Sequence, residues 1–150
     1  MAVGARPIAA RLPNSLSESV GFLLSKLAQE GNDLIQRHLA ELGIKSRHYG
    51  VLAVLDHNGP LSQQAVGELL HIDRTTMVAI VDELERLGCA SRGTDPRDRR
   101  AYRLELTDAG RRTLESAAQV VARGNAELVA ALRPADQRQL LYLLRQLSRV

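Results

Sequence analysis

The sequence is short of most features that would point to catalysis, secretion or a membrane. Of 150 residues only Cys89 is a cysteine, so no intrachain disulfide can form, and a lone thiol fits a reducing, cytoplasmic setting. There is no tryptophan, and one phenylalanine and three tyrosines are too few rings for a platform that stacks single-stranded bases. No apolar run approaches the ~18–20 residues that span a bilayer, so no membrane partner is expected. The histidines, His38, His48, His57 and His71, form no pair at helical ligand spacing, and no Cys/His cluster exists, so no metal site is expected. A Gly-rich phosphate loop, a His-Glu-x-x-His pair and a nucleophile elbow are all missing, which leaves no catalytic residue and no cofactor to nominate. Acids are absent up to Leu16, where Arg6 and Arg11 sit among alanines. An organellar presequence has a similar composition, but Gly4, Pro7 and Pro13 break any long amphipathic helix, and the stretch reads as a loose N-terminal arm.

What remains is ordinary for one globular domain: 45% apolar residues, 25% charged, and a formal net charge of +3. The charge leans weakly towards an anionic partner, so its placement matters more than its sum. Ser15-Leu16-Ser17-Glu18 has capping-box spacing, and apolar or small residues then recur at Val20, Leu24, Leu27, Gly31, Leu34 and Leu42, up to Gly43. A second helix is expected from Ser46 to Asp56, a short third from Ser62 to His71, and a fourth from its N-cap Asp73 to Leu87, stopped by Gly88. Cys89–Gly93 and Ala101–Leu106 read as two strands, the second alternating in Tyr102, Leu104 and Leu106. Thr107 caps a long helix expected to reach Leu132, with Leu114, Ala118, Val121, Asn125, Leu128 and Leu132 at heptad spacing. That stripe suits a dimer interface or packing within the chain, and Asn125 is placed to set register. After Pro134 a last helix carries Leu140, Leu144 and Leu147.

Two short helices joined at His71-Ile72 and followed by a hairpin make a winged helix-turn-helix, whose second helix presents its first turns to the major groove. Opposite the apolar face of Met77, Ile80, Val81, Leu84 and Leu87, that helix offers Arg74, Thr75, Thr76, Val78 and Ala79, although Thr76 is also placed to face the interior. Its C-terminal part holds Asp82, Glu83 and Glu85, which phosphate would repel. Ser62 and Gln63, opening the preceding helix, join the candidate DNA contacts. From Arg92 to Arg103 five arginines face two aspartates, a local balance of +3 that equals the formal net charge. Arg97, Arg99 and Arg100 at the tip suit phosphate or a narrow minor groove, with Asp98 pairing one of them to hold the loop.

Asp73-Arg74-Thr75-Thr76-Met77, then Asp82-Glu83-Leu84-Glu85-Arg86-Leu87-Gly88, then Asp95-Pro96-Arg97-Asp98-Arg99-Arg100-Ala101, then Leu106-Thr107-Asp108-Ala109-Gly110 resemble the MarR family of bacterial regulators over nearly the whole chain. The resemblance implies a mainly α, winged helix-turn-helix fold with a small β-hairpin wing. Residues 1–44 and 107–150 would interlock as a helical dimerisation region, and residues 45–106 would bind DNA. It implies a homodimer on a pseudo-palindromic double-stranded operator, acting as a repressor and released by a small, often phenolic or carboxylic, effector. Many members carry a threonine and an arginine where this chain has Val78 and Ala79, so apolar contact with thymine methyls is expected there. The peroxide-sensing branch uses a cysteine near the start of its first helix, where this chain has none.

Arg47, His48 and Tyr49 open the second helix beside the junction of the two regions, with Phe22 and His38 on the first helix as candidates to face them. Together they can hold an aromatic acid, the ring on apolar walls and the carboxylate or phenolate on donors; the same side chains can equally just solvate a helix start. Two alternatives to a ligand-controlled regulator stand beside this reading. One is a winged-helix architectural or protein-interaction module. The other is a redox sensor or enzyme built on Cys89, against the reading of Cys89 as a small buried hydrophobe.

Overall fold

Short polar side chains decide where the helices begin. The structure, a computed structural model, describes residues 11–96 and 98–149, with residues 98–101 described by their backbone alone. The expected N-terminal arm therefore lies outside the described residues as far as residue 10. The first helical segment is split: a single turn, α1 (Asn14–Ser17), precedes α2 (Val20–Ala40). Ser19 is extended and its hydroxyl accepts from the Phe22 N–H at 3.3 Å. The capping box expected at Ser15–Glu18 thus gives way to Ser19, because the chain breaks there and the next hydroxyl serves the longer apolar run.

α3 (Ser46–Asn58) runs two residues beyond expectation and stops at Gly59. Gln36 on α2 holds its start, accepting from the Ser46 N–H at 3.0 Å and donating to the Ile44 carbonyl at 3.4 Å. β1 (Leu61–Ser62) was not anticipated: two residues become a strand only because Leu61 lies opposite Leu104 and Ser62 opposite Arg103. α4 (Gln63–Leu70) is capped by the Ser62 hydroxyl, which accepts from the Ala65 N–H at 3.1 Å. His71 turns the chain in the left-handed region (φ 53), and Asp73 caps α5 (Arg74–Arg86), accepting from the Thr76 N–H at 2.9 Å. Gly88, at φ 69, ends that helix where a side chain would be strained.

The wing is β2 (Ala90–Asp95) against β3 (Asp98–Leu106), and the three strands form one antiparallel sheet in the order β1-β3-β2. α6 (Asp108–Leu128) follows, then α7 (Pro134–Ser148), with proline in its first turn where no N–H is needed. The join between wing and α6 is tight. The Thr107 hydroxyl donates to the Gly88 carbonyl at 2.6 Å and accepts from the Gly110 N–H at 3.0 Å. A Cβ on Gly110 would lie 1.9 Å from the Cys89 carbonyl oxygen, so the Leu-Thr-x-x-Gly motif needs glycine for the helix to approach the strand.

The main core lies within the winged unit: Val51, Leu52 and Leu55 of α3, Val66 of α4, Met77, Ile80, Val81 and Leu84 of α5, with Cys89 just before β2, Ala90 of β2 and Leu104 of β3. Cys89 is buried, its thiol 3.6 Å from the Thr113 hydroxyl, the surroundings of a small hydrophobe. A smaller cluster of Leu39, Ile44 and Ala117 joins α2, α3 and α6. The heptad on α6 divides. Leu114 and Val121 are half-buried, while Ala118, Asn125, Leu128 and Leu132 are exposed; the fully buried residues of the helix, Gly110, Ala117 and Gly124, fall outside the heptad. Small residues form the seam within the chain: a Cβ on Gly31 would come within 3.0 Å of Leu128, and one on Gly124 within 3.2 Å of Ile35. The helix also ends at Leu128, short of the expected Leu132.

Candidate nucleic-acid interface

α5 presents two kinds of surface along its length. Arg74 and Thr75 in the first turn are exposed, as are Val78 and Ala79 in the second, while Met77, Ile80, Val81 and Leu84 are buried against the core. Thr76 is half-buried, and its hydroxyl donates to the Asp73 carboxylate at 2.6 Å. The hydrogen bond from Thr76 holds Asp73 below the usual carboxylate range, so this cap is ionised at neutral pH. The first turns are thereby fixed from below and open above.

The acidic half is not an idle repulsive surface. Asp82 and Glu85 are both held by Arg92 from β2: the guanidinium donates to Asp82 at 2.7 Å and to Glu85, and the Arg92 N–H donates to Glu85 at 2.9 Å. Asp82, followed by Glu85, raises the Arg92 pKa above its ordinary value. Glu83 takes the Lys45 ammonium at 2.7 and 2.9 Å and the His48 ring at 2.8 Å, and the Lys45 bond keeps Glu83 ionised below its usual range. The acids therefore fasten the recognition helix to the wing on one side and to α3 on the other. Sequence reading missed these ties because the partners lie 7 to 38 residues away.

The wing arginines divide in the same way. Arg92 is committed to α5, and Arg103 donates to Asp95 at 2.7 Å. Arg97 lies outside the described residues; Arg99 and Arg100 lie on β3, but their side chains, like that of Asp98, are outside the description. Between α4, α5 and the wing opens a cleft of about 1170 Å³, lined by Ser62, Gln63 and Arg74 among the sequence candidates, and by Arg92 and Tyr102 from the wing. Tyr102 was not singled out as a contact, although its place in the Tyr102-Leu104-Leu106 alternation put it on the inner face of the wing.

The candidate ligand residues are not brought to one place. His48 is 2% exposed, and both ring nitrogens are engaged: Nδ1 accepts from the Lys45 N–H at 3.2 Å, which assigns the Nε2 hydrogen to Glu83. Burial lowers its pKa from the ordinary value. Tyr49 packs on the Leu39–Ile44–Ala117 cluster, and Arg47 is exposed. His38 turns to α6, with Nε2 3.5 Å from Glu127. Phe22 is half-buried sixteen positions earlier on the same helix, roughly 24 Å away at 1.5 Å per residue, so one small pocket in a single chain cannot use both. Among the described residues no group of three His, Cys, Asp or Glu side chains could hold a metal ion. None of the described helices is long and apolar enough to cross a membrane.

A family model described as MarR family matches residues 42–101. A Thauera aromatica protein named for transcriptional regulation of the hcr operon is 36% identical over 107 residues, covering 71% of this chain; the chain spans 64% of that relative's length. Among solved structures, the transcriptional repressor CouR bound to a 23-mer DNA duplex is 31% identical, with 93% of this chain and 99% of that one covered and a TM-score of 0.84. BpsR of Bordetella bronchiseptica, whose DNA binding is regulated by 6-hydroxynicotinic acid, is 27% identical, with 92% and 99% covered and a TM-score of 0.82.

Proposed function

The chain belongs to the MarR family of transcriptional regulators, and on that premise we propose that it is a repressor that binds a pseudo-palindromic operator as a homodimer and is released by a small aromatic acid. Residues 45–106 are the DNA-binding unit, and residues 1–44 and 107–150 the dimerisation region. The observation that carries the reading is the division of α5. Arg74, Thr75, Val78 and Ala79 stand exposed at its start, beside the cleft, while the acids of its second half are tied to Arg92, Lys45 and His48. A helix with free first turns and neutralised later turns suits entry into the major groove by its N-terminal end.

In this reading Arg74 and Thr75 reach base edges, Val78 and Ala79 meet thymine methyls, and Thr76 contributes least because its hydroxyl serves the cap. Ser62 and Gln63 approach the backbone from the start of α4, and Arg97, Arg99 and Arg100 carry the wing to phosphate or the minor groove. What is left uncovered supports the dimer. Among the described residues α7 buries none, and Leu141, Leu143, Leu144 and Leu147 are 36–68% exposed, as are Val20, Leu23, Leu24 and Leu27 on α2 at 37–65%. A second copy covers these faces and places two recognition helices on two half-sites.

For release, BpsR supplies the precedent of an aromatic acid. Arg47 and Tyr49 are the side chains at the junction with polar atoms to offer; His48 acts through its tie to α5. A ligand releases DNA only by preferring the DNA-incompetent dimer, so operator must weaken ligand binding by the same factor. Footprinting on sites selected from random duplexes tests the whole reading. A discrete pseudo-palindrome with half-sites about one helical turn apart is expected, whereas broad protection without sequence preference would make the protein architectural.

A further inference from the structure

Tyr102 is an exposed aromatic side chain that the core does not explain. On β3 it shares a face with Leu104 and Leu106, because side chains two apart on a strand point the same way. Leu104 is 1% exposed and closes the core; Tyr102 is 64% exposed and lies opposite Thr94, where the hairpin has run past the core. Its side chain still points to the helix side of the wing and lines the cleft across from Ser62, Gln63 and Arg74. Its hydroxyl has no hydrogen-bond partner among the described residues.

The cleft has a definite occupant if α5 enters a major groove and the wing reaches the neighbouring minor groove. The two grooves are divided by one sugar–phosphate strand, and that strand must pass between α5 and the wing. We propose that Tyr102 is a positioning residue for DNA, its hydroxyl donating to a phosphate of the strand that runs through this cleft. The proposal rests on the regulator reading above. It adds to the arginines a contact of a different kind: a phenol is a donor without charge. It holds the backbone in place without displacing a counterion, so its loss lowers affinity and leaves the salt dependence alone.

The test compares wild type, Tyr102→Phe and Tyr102→Ala by fluorescence anisotropy, on a duplex selected by the wild type and on a random duplex, from about 50 to 200 mM salt. Tyr102→Phe is expected to weaken binding about 5- to 30-fold, for one hydrogen bond lost from each half of the dimer, on both duplexes and with an unchanged salt slope. An unchanged thermal melt shows that the exposed substitution leaves the fold intact. Wild-type affinity in Tyr102→Phe overturns the proposal, including the case where only Tyr102→Ala is weakened, since the ring and not the hydroxyl then matters. A loss confined to the selected duplex overturns it in favour of base reading, and a shallower salt slope overturns the uncharged contact. Failure of the wild type to prefer any duplex falls on the regulator reading and takes the Tyr102 contact with it; normal wild-type binding with an unaffected Tyr102→Phe falls on Tyr102 alone.

Discussion

From Val51 to Leu104 the chain covers its own core: α3, α4, α5 and the sheet leave Leu52, Val66, Val81 and Leu84 fully enclosed. The helices that flank this unit in sequence do the opposite. α7 encloses nothing, α2 buries only Gly31 and Leu39, and α6 buries Gly110, Ala117 and Gly124. Both regions are helical and both carry leucines at helical spacing, so periodicity alone does not separate them. The difference lies in who supplies the covering surface. The winged unit is complete in one chain; α2 and α6 meet along a narrow seam and keep further apolar positions exposed, α7 buries none, and in the proposed dimer a second copy covers these faces. A helix of fifteen residues that buries nothing is marginal in water by itself.

Substitutions should expose that difference, beginning at the seam between the regions. Gly110→Ala places a Cβ 1.9 Å from the Cys89 carbonyl oxygen, a backbone atom that cannot step aside. The expected cost is at least about 3 kcal/mol in chemical denaturation, or failure to fold; near-wild-type stability would mean that α6 does not approach the wing this closely. Next comes a pair of leucines. Leu52→Ala, inside the winged core, should cost about 2–5 kcal/mol whatever the protein concentration. Leu147→Ala, 68% exposed in one chain, would cost within about 0.5 kcal/mol if that face meets water. Covered by a second copy it costs about 2 kcal/mol or more, with a melting midpoint that rises with concentration.

A smaller effect is expected at Thr107, whose hydroxyl both caps α6 and reaches Gly88. Thr107→Ala should lower stability by about 1–2 kcal/mol, and Thr107→Ser should restore most of it. The smallest concerns pH. His48 is buried and neutral, with Nδ1 committed as an acceptor, and burial sets its pKa below 6.5. The unfolded chain takes up that proton first, so the stability tied to neutral His48 is present above pH 6.5 and is lost as pH falls towards the folded value. His48→Gln should flatten denaturation midpoints across that window. Glu83 and Asp73, held below the carboxylate range, lose their contributions only at lower pH. An equal pH dependence in wild type and His48→Gln would place the titrating group elsewhere.

These contrasts also mark what the sequence could disclose. The winged helix-turn-helix was legible because its signals are local: Asp73 and Thr107 as caps, Gly88 as a stop, and the 77-80-81-84 face each fall within a turn or two. β1 was not legible, since two residues become a strand only through pairing with Leu104 and Arg103, some forty positions on. For the same reason the acids of α5 looked like surface charge until Arg92 and Lys45 were seen against them. The heptad on α6 leaves a dimer interface and packing within the chain both open, because spacing records which residues share a face and not what covers it; Gly31, Ala117 and Gly124 make the seam between α2 and α6. Phe22 and His38 were grouped with Arg47, His48 and Tyr49 by residue chemistry, and the length of α2 separates the first two.

The central claim is that one region is finished by its own chain and the other by a second copy. Sedimentation equilibrium of the full chain at micromolar concentration, with wild type beside Leu147→Ala, tests it most directly. The account predicts a wild-type mass of twice 16.4 kDa, and dissociation towards 16.4 kDa in the variant at concentrations where the wild type holds together. A wild type that sediments at 16.4 kDa, with α7 folded, would contradict it.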